Sequence, residues 1–168
     1  IMKFNSPQSK AVLLGEKIFN ENELTCRVEV ELEKFTKKVP IESRVLGDLA
    51  MNHILPVATA CQSRLIDAVY KMKGLFAEEK SARLTRENLK LIEEIGERVL
   101  FITEHVDAMV EARKVANKIT DEREKAIAYH DHIAPMLEEI RYHVDKLELI
   151  VDNEKWTLPK YSELLFIR

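Results

Sequence analysis

Between Ile92 and Met109 the apolar residues Ile95, Val99, Ile102 and Val106 fall at alternating steps of three and four without a miss. Only an α-helix returns side chains to one face at that spacing, and a face so narrow and regular is a bundle seam. The pattern predicts one helix over about 85–118, a rod on the order of 50 Å long at a rise of about 1.5 Å per residue. Thr120 followed by Asp121 and Glu122 reads as an N-cap with acids in the first turn. The period then resumes over about 121–151 through Ile133, Leu137, Ile140, Val144, Leu147 and Val151. The link at Ile119-Thr120 is too short for anything but a tight turn, so the two rods are expected to form an antiparallel hairpin.

Upstream, the same periodicity runs over about 22–73 through Leu24, Val28, Leu32, Phe35 and Val39 to Leu65, Val69 and Met72. Pro40 and Pro56 lie inside it, and each lacks a backbone donor and crowds the preceding turn, so kinks or breaks are expected there. Lys71, Lys73 and Gly74 read as a cationic last turn closed by a left-handed glycine cap. Ser6-Pro7 opens a short helix carrying Ala11, Leu14 and Ile18, within an N-terminal arm over 1–20. Thr157 and Pro159 mark a fresh start in a C-terminal tail over 156–168, which ends on the apolar Leu164, Leu165, Phe166 and Ile167. With 4 Gly and 5 Pro in 168 residues, the chain has too few turn residues for an all-β fold. The expectation is a single all-α domain over 1–168, an elongated bundle in which the hairpin packs against the long proline-kinked helix.

Function is constrained mainly by what the residues exclude. A net charge of −3 with both signs interleaved offers no footprint for nucleic acid and no basic membrane patch. No apolar stretch approaches a membrane span, and the start lacks the features of a secretory signal; an Ile placed before the first Met reads as a cut or joined end. Cys26 and Cys61 read as buried, reduced thiols in a cytoplasmic protein. None of the five histidines has a glutamate three residues before it, so the di-iron signature of helical bundles is missing. His130 and His132 point to different faces of a helix and cannot chelate together, and His53 and His130 read as imidazoles in or beside the core. The run Glu29, Glu31, Glu33, Lys34, Lys37, Lys38 reads as a solvated face of helical ion pairs. Arg113 continues the seam and reads either as a register-setting cation or as one reaching solvent at the bundle's end. No catalytic, cofactor-binding or metal residue is assigned.

Two segments carry a resemblance. Glu31-Leu32-Glu33-Lys34-Phe35-Thr36-Lys37-Lys38-Val39, with Ile41-Glu42-Ser43-Arg44-Val45-Leu46-Gly47-Asp48-Leu49-Ala50 and Asn52-His53, resembles the C-terminal region of type III glutamine synthetases. Trp156-Thr157-Leu158-Pro159-Lys160-Tyr161-Ser162-Glu163-Leu164-Leu165-Phe166-Ile167-Arg168 is similar to the family's terminal sequence. Pro40 and Cys61 depart from the family's pattern, at positions that carry no chemistry. The resemblance implies a parent enzyme that ligates ammonia to glutamate with ATP and Mg²⁺ or Mn²⁺. It also implies that the catalytic residues lie upstream in a barrel, and that this segment's partners are that catalytic body and neighbouring subunits of a homo-oligomer. The residues alone also allow a free-standing adaptor or signalling bundle, with the Ile92 to Met109 seam as its dimer interface.

Overall fold

The computed structural model describes residues 6–165, with the backbone alone at 161 and 162. The expected apolar end at Phe166 and Ile167 lies outside the described residues, which contain helices and no strand. In chain order the helices are α1 (Pro7–Gly15), α2 (Glu21–Leu49), α3 (Leu55–Leu75), α4 (Glu78–Ala116), α5 (Glu122–Ala128), α6 (Ala134–Ile150) and α7 (Tyr161–Leu165). Five-residue π segments, Ala50–Ile54 and Tyr129–Ile133, join α2 to α3 and α5 to α6.

Local chemistry sets the boundaries. The Ser6 side chain accepts from Ser9 N–H at 3.2 Å and starts α1, with Pro7 in the first turn. At the other end Ile18 N–H reaches Leu13 O and Lys17 N–H reaches Leu14 O, a Schellman closure with Lys17 at φ 55 in the place glycine usually takes. The face of Ala11, Leu14 and Ile18 finds no core, for α1 buries no described residue. Helix α2 begins slightly before the expected position, at a capping box: Asn20 Oδ1 accepts from Glu23 N–H, and the Glu23 carboxylate accepts from Asn20 N–H, both at 2.8 Å.

The prolines act differently from one another. Helix α2 passes through Pro40 without a break. Pro56 sits in the first turn of α3, directly after the π segment, where the Leu55 N–H bonds to Ala50 O. Widening the turn to an i→i+5 bond accommodates a residue that can neither donate nor tolerate the carbonyl of the preceding turn. Pro135 repeats the arrangement at the start of α6, so the second rod expected over 121–151 is interrupted where none was expected. Two caps also differ from expectation. Helix α3 runs through Gly74, which has no positive φ, and ends at the extended Phe76. The side chain that caps α5 is Asp121, accepting from Glu124 N–H at 2.8 Å, rather than Thr120.

Helix α4 is the central rod. The two-residue link Phe76-Ala77 folds it back along α3, its most extensive partner, and α6 packs along a second side. The hairpin of α4 with α6 is therefore present, but the α3–α4 hairpin is the larger one. The seam of α4 extends in both directions from the expected residues, with Ser81 and Thr85 buried at one end and Ala116 at the other. The two hydroxyls are satisfied within the helix, Ser81 donating to Glu78 O and Thr85 to Ser81 O. Ile95, Ile102, Ile133, Ile140, Leu147 and Tyr129 are fully enclosed in one core with Ala50 and Ala58. Of the seam residues, Ile95, Ile102, Val106 and Met109 are buried inside the chain, so this seam is covered by the chain's own helices. A smaller cluster of Val28, Leu32 and Ala126 sits where α2 meets α5.

Candidate interaction surface

The anchored C-terminal tail is the most distinctive surface feature. Val151 is buried and extended at the end of α6, and Trp156 folds back into the main core. Lys160 then turns its ammonium onto the end of α6, donating to Glu148 O at 2.6 Å, Val151 O at 3.1 Å and Asn153 Oδ1 at 2.6 Å. A cation there satisfies last-turn carbonyls and faces the negative end of the helix dipole. The same Nζ lies 5.6 Å from the centroid of the Trp156 ring. Beyond this anchor, Leu164 and Leu165 are 62% and 76% exposed. The first part of the tail thus lies on its own bundle, and the next two leucines face away from it.

The remaining sequence candidates are dispersed. His53, His130 and His132 are all exposed, so His53 and His130 are not core imidazoles. The π segments instead place Ala50 and Ile54 inward around His53, and Tyr129 and Ile133 inward around His130, whose Nδ1 lies 2.8 Å from Asp131 Oδ1. Tyr129 donates to Asn117 Oδ1 at 2.7 Å, and its burial raises the phenol above its ordinary range against the opposing fields of Arg113 and Arg44. Arg113 is half-buried near that hydroxyl. Cys26 is exposed and Cys61 half-buried, both free thiols; Cys26 belongs to the outer face of α2 rather than to the core. It lines a shallow groove with Glu23, Arg27, Val30, Glu31 and Lys34, a described lining with both signs of charge and no convergent set of donors. The acid and base run forms the expected exposed pairs Glu31–Lys34 and Glu33–Lys37. A Lys37 hydrogen bond and charge hold Glu33 below the usual carboxylate range.

Two polar groupings were not visible in sequence because each is made across helices. Thr36, buried on α2, donates to Glu122 Oε2 at 2.8 Å and ties α5 to α2. On α4, the Phe101 ring is stacked between His105 of its own helix and His143 of α6, with centroids 3.6 and 3.8 Å away. The four-residue spacing of Phe101 and His105 was legible as one helix face; the arrival of His143 was not. Among the described residues no group of three or more His, Cys, Asp or Glu could hold a metal ion, and no helix is long and apolar enough to cross a membrane.

Comparison with known proteins places this architecture. Residues 1–73 match the family model of the glutamine synthetase C-terminal domain. Over all 168 residues the chain is 53% identical to a glutamine synthetase of Bacteroides fragilis (strain YCH46), covering 23% of that protein. It is 27% identical, again over 168 residues, to the type-3 glutamine synthetase of Dictyostelium discoideum, covering 23% of it. A glutamine synthetase of Butyrivibrio fibrisolvens is 22% identical over 149 residues, which are 89% of this chain and 21% of that protein. The chain spans less than a quarter of the length of each of these relatives.

Proposed function

We propose, from the match of residues 1–73 to the family model of the glutamine synthetase C-terminal domain, that this chain is the C-terminal structural and assembly domain of a type III glutamine synthetase. The parent reaction is the ATP-dependent ligation of ammonia to glutamate. ATP and Mg²⁺ or Mn²⁺ belong to the catalytic barrel of that parent, and no step of the chemistry is routed through residues 6–165. The partners are the catalytic body of the same chain and neighbouring subunits of a cytoplasmic homo-oligomer.

One observation carries this reading: the whole chain aligns at 53% identity with an enzyme more than four times its length. The type III assignment draws on the likeness to the Dictyostelium protein of that name. The assembly role draws on the tail, where Trp156 and Lys160 hold Leu164 and Leu165 in place with their side chains in water. Anchored, exposed apolar side chains suit an interface better than they suit a free end. The test is made in the full-length enzyme that carries this chain. Leu164→Asn with Leu165→Asn is expected to reduce the oligomer in size-exclusion chromatography with light scattering, while thermal unfolding of the helical domain is unaltered. Truncation near Glu21 that leaves a fully assembled, normally active enzyme would overturn the assembly role.

A further inference from the structure

The imidazole stack between α4 and α6 has an arrangement of donors and acceptors that depends on protonation. Arg98 Nη1 lies 3.4 Å from His143 Nδ1, and a guanidinium has only donors, so a hydrogen bond between them requires that nitrogen to accept and the imidazole to be neutral. Arg98 is not free to swing aside. Its Nε and Nη2 both donate to Glu94 Oε1, at 3.0 and 2.6 Å, and its side chain is 17% exposed. Across the Phe101 ring, His105 directs Nδ1 to Phe101 O at 2.9 Å, where it must donate, and Nε2 towards Glu139 of α6 at 3.5 Å. Tyr142 meets His143 edge-on and carries Lys146 over its own ring.

We propose that His143 and Arg98 form an acid-released latch between α6 and α4, closed while the imidazole is neutral and opened by its protonation. A proton on Nδ1 sets one donor against another and places a second cation beside a guanidinium that Glu94 holds in position. The Phe101 face and Glu139 favour an imidazolium, but Arg98 and His105 oppose it. Burial, with these two charges, holds His143 below the ordinary histidine range. The unfolded chain then binds a proton at higher pH than the folded one. The latch's contribution is complete above the ordinary histidine range and is lost as pH falls through that range towards the lower folded value. Lys160 is bonded to the last carbonyls of α6, so loosening of this helix reaches the tail that presents Leu164 and Leu165.

The experiment titrates the full chain carrying ¹³C-labelled histidine and follows amide exchange in α6, corrected for intrinsic rates, at about pH 7.5 and about pH 5.5. His143 is expected to titrate below the ordinary range and to move upward in Arg98→Met, which removes the cation and keeps the stem. Exchange in α6 is expected to rise several-fold on acidification in the parent sequence. It should stay level in His143→Gln, whose amide oxygen accepts from Arg98 at either pH. The proposal is overturned if His143 titrates at or above the ordinary range, if Arg98→Met leaves it unmoved, or if His143→Gln loosens in acid as the parent does. Should Arg98→Met fail to fold, the His143→Gln comparison still decides.

Discussion

Lys160 has more acceptors around its ammonium than any other lysine whose contacts are described here: two carbonyls at the end of α6 and the Asn153 amide oxygen. Lys160→Met keeps the aliphatic stem and removes the donors, leaving last-turn carbonyls of α6 without that partner. Hydrogen bonds to a charged group at a half-buried site contribute about 1–2 kcal/mol together with the helix dipole. Trp156 is the chain's one tryptophan, so its fluorescence reports the local event. The variant is expected to show a red-shifted spectrum and an earlier urea transition by Trp156 emission than by helical circular dichroism. Coincident, unshifted transitions would remove the cap from the stability of the tail. At this scale the sequence was legible for caps built within a few residues, as at Ser6. It was poorly legible where a single side chain faces one way or another: Cys26, His53 and His130 were placed near apolar faces by helical period and prove exposed. His53 and His130 each lie inside a π segment, which changes the angle per residue on which that placement rested.

The elements themselves were legible because apolar period is a long-range average. Ile92 to Met109 fixed the central rod, and Ile102 is among its fully buried residues. Ile102→Ala is expected to cost roughly 2–5 kcal/mol through lost transfer energy and a residual cavity, whereas Glu97→Ala at an exposed position should change stability little. Comparable urea midpoints for the two variants would refute the assignment of the seam. The π segments were not expected, yet the sequence carries their trace. Leu46, Ala50, Ile54 and Ala58 all lie in or against the core at three successive steps of four. At about 100° per residue, each such step overshoots a regular α-helical turn by about 40°, so three would carry the face well off the core. One wider turn restores it, and Pro56 favours placing that turn directly before itself. Pro135 has the same relation to Tyr129–Ile133, and attention to the proline rather than to the period alone would have found it.

At the scale of the whole molecule, the sequence specified an all-helical bundle and left the ranking of helix pairs open. Periodicity says which face of a rod is apolar but not which neighbour covers it. The buried residues of α3 and α4 include small ones such as Ala58 and Ser81, which give a weak apolar signal. The site was less legible than the fold, since its tail anchor and its imidazole stack are both built between separate segments. The division of the core into a large cluster and a small one bears on cooperativity. Phe35 packs against both, and is the one side chain that bridges them among the described apolar groups. Phe35→Ala is therefore expected to split a single thermal transition into two. The end formed by Val28, Leu32 and Ala126 should melt first, while protection of the α4 amides persists. A single transition that merely shifts downward would mean that Thr36 and Glu122 suffice to couple the two parts. In the intact chain, the ring of Phe35 is the contact through which the two hydrophobic clusters are expected to unfold as one thermodynamic unit.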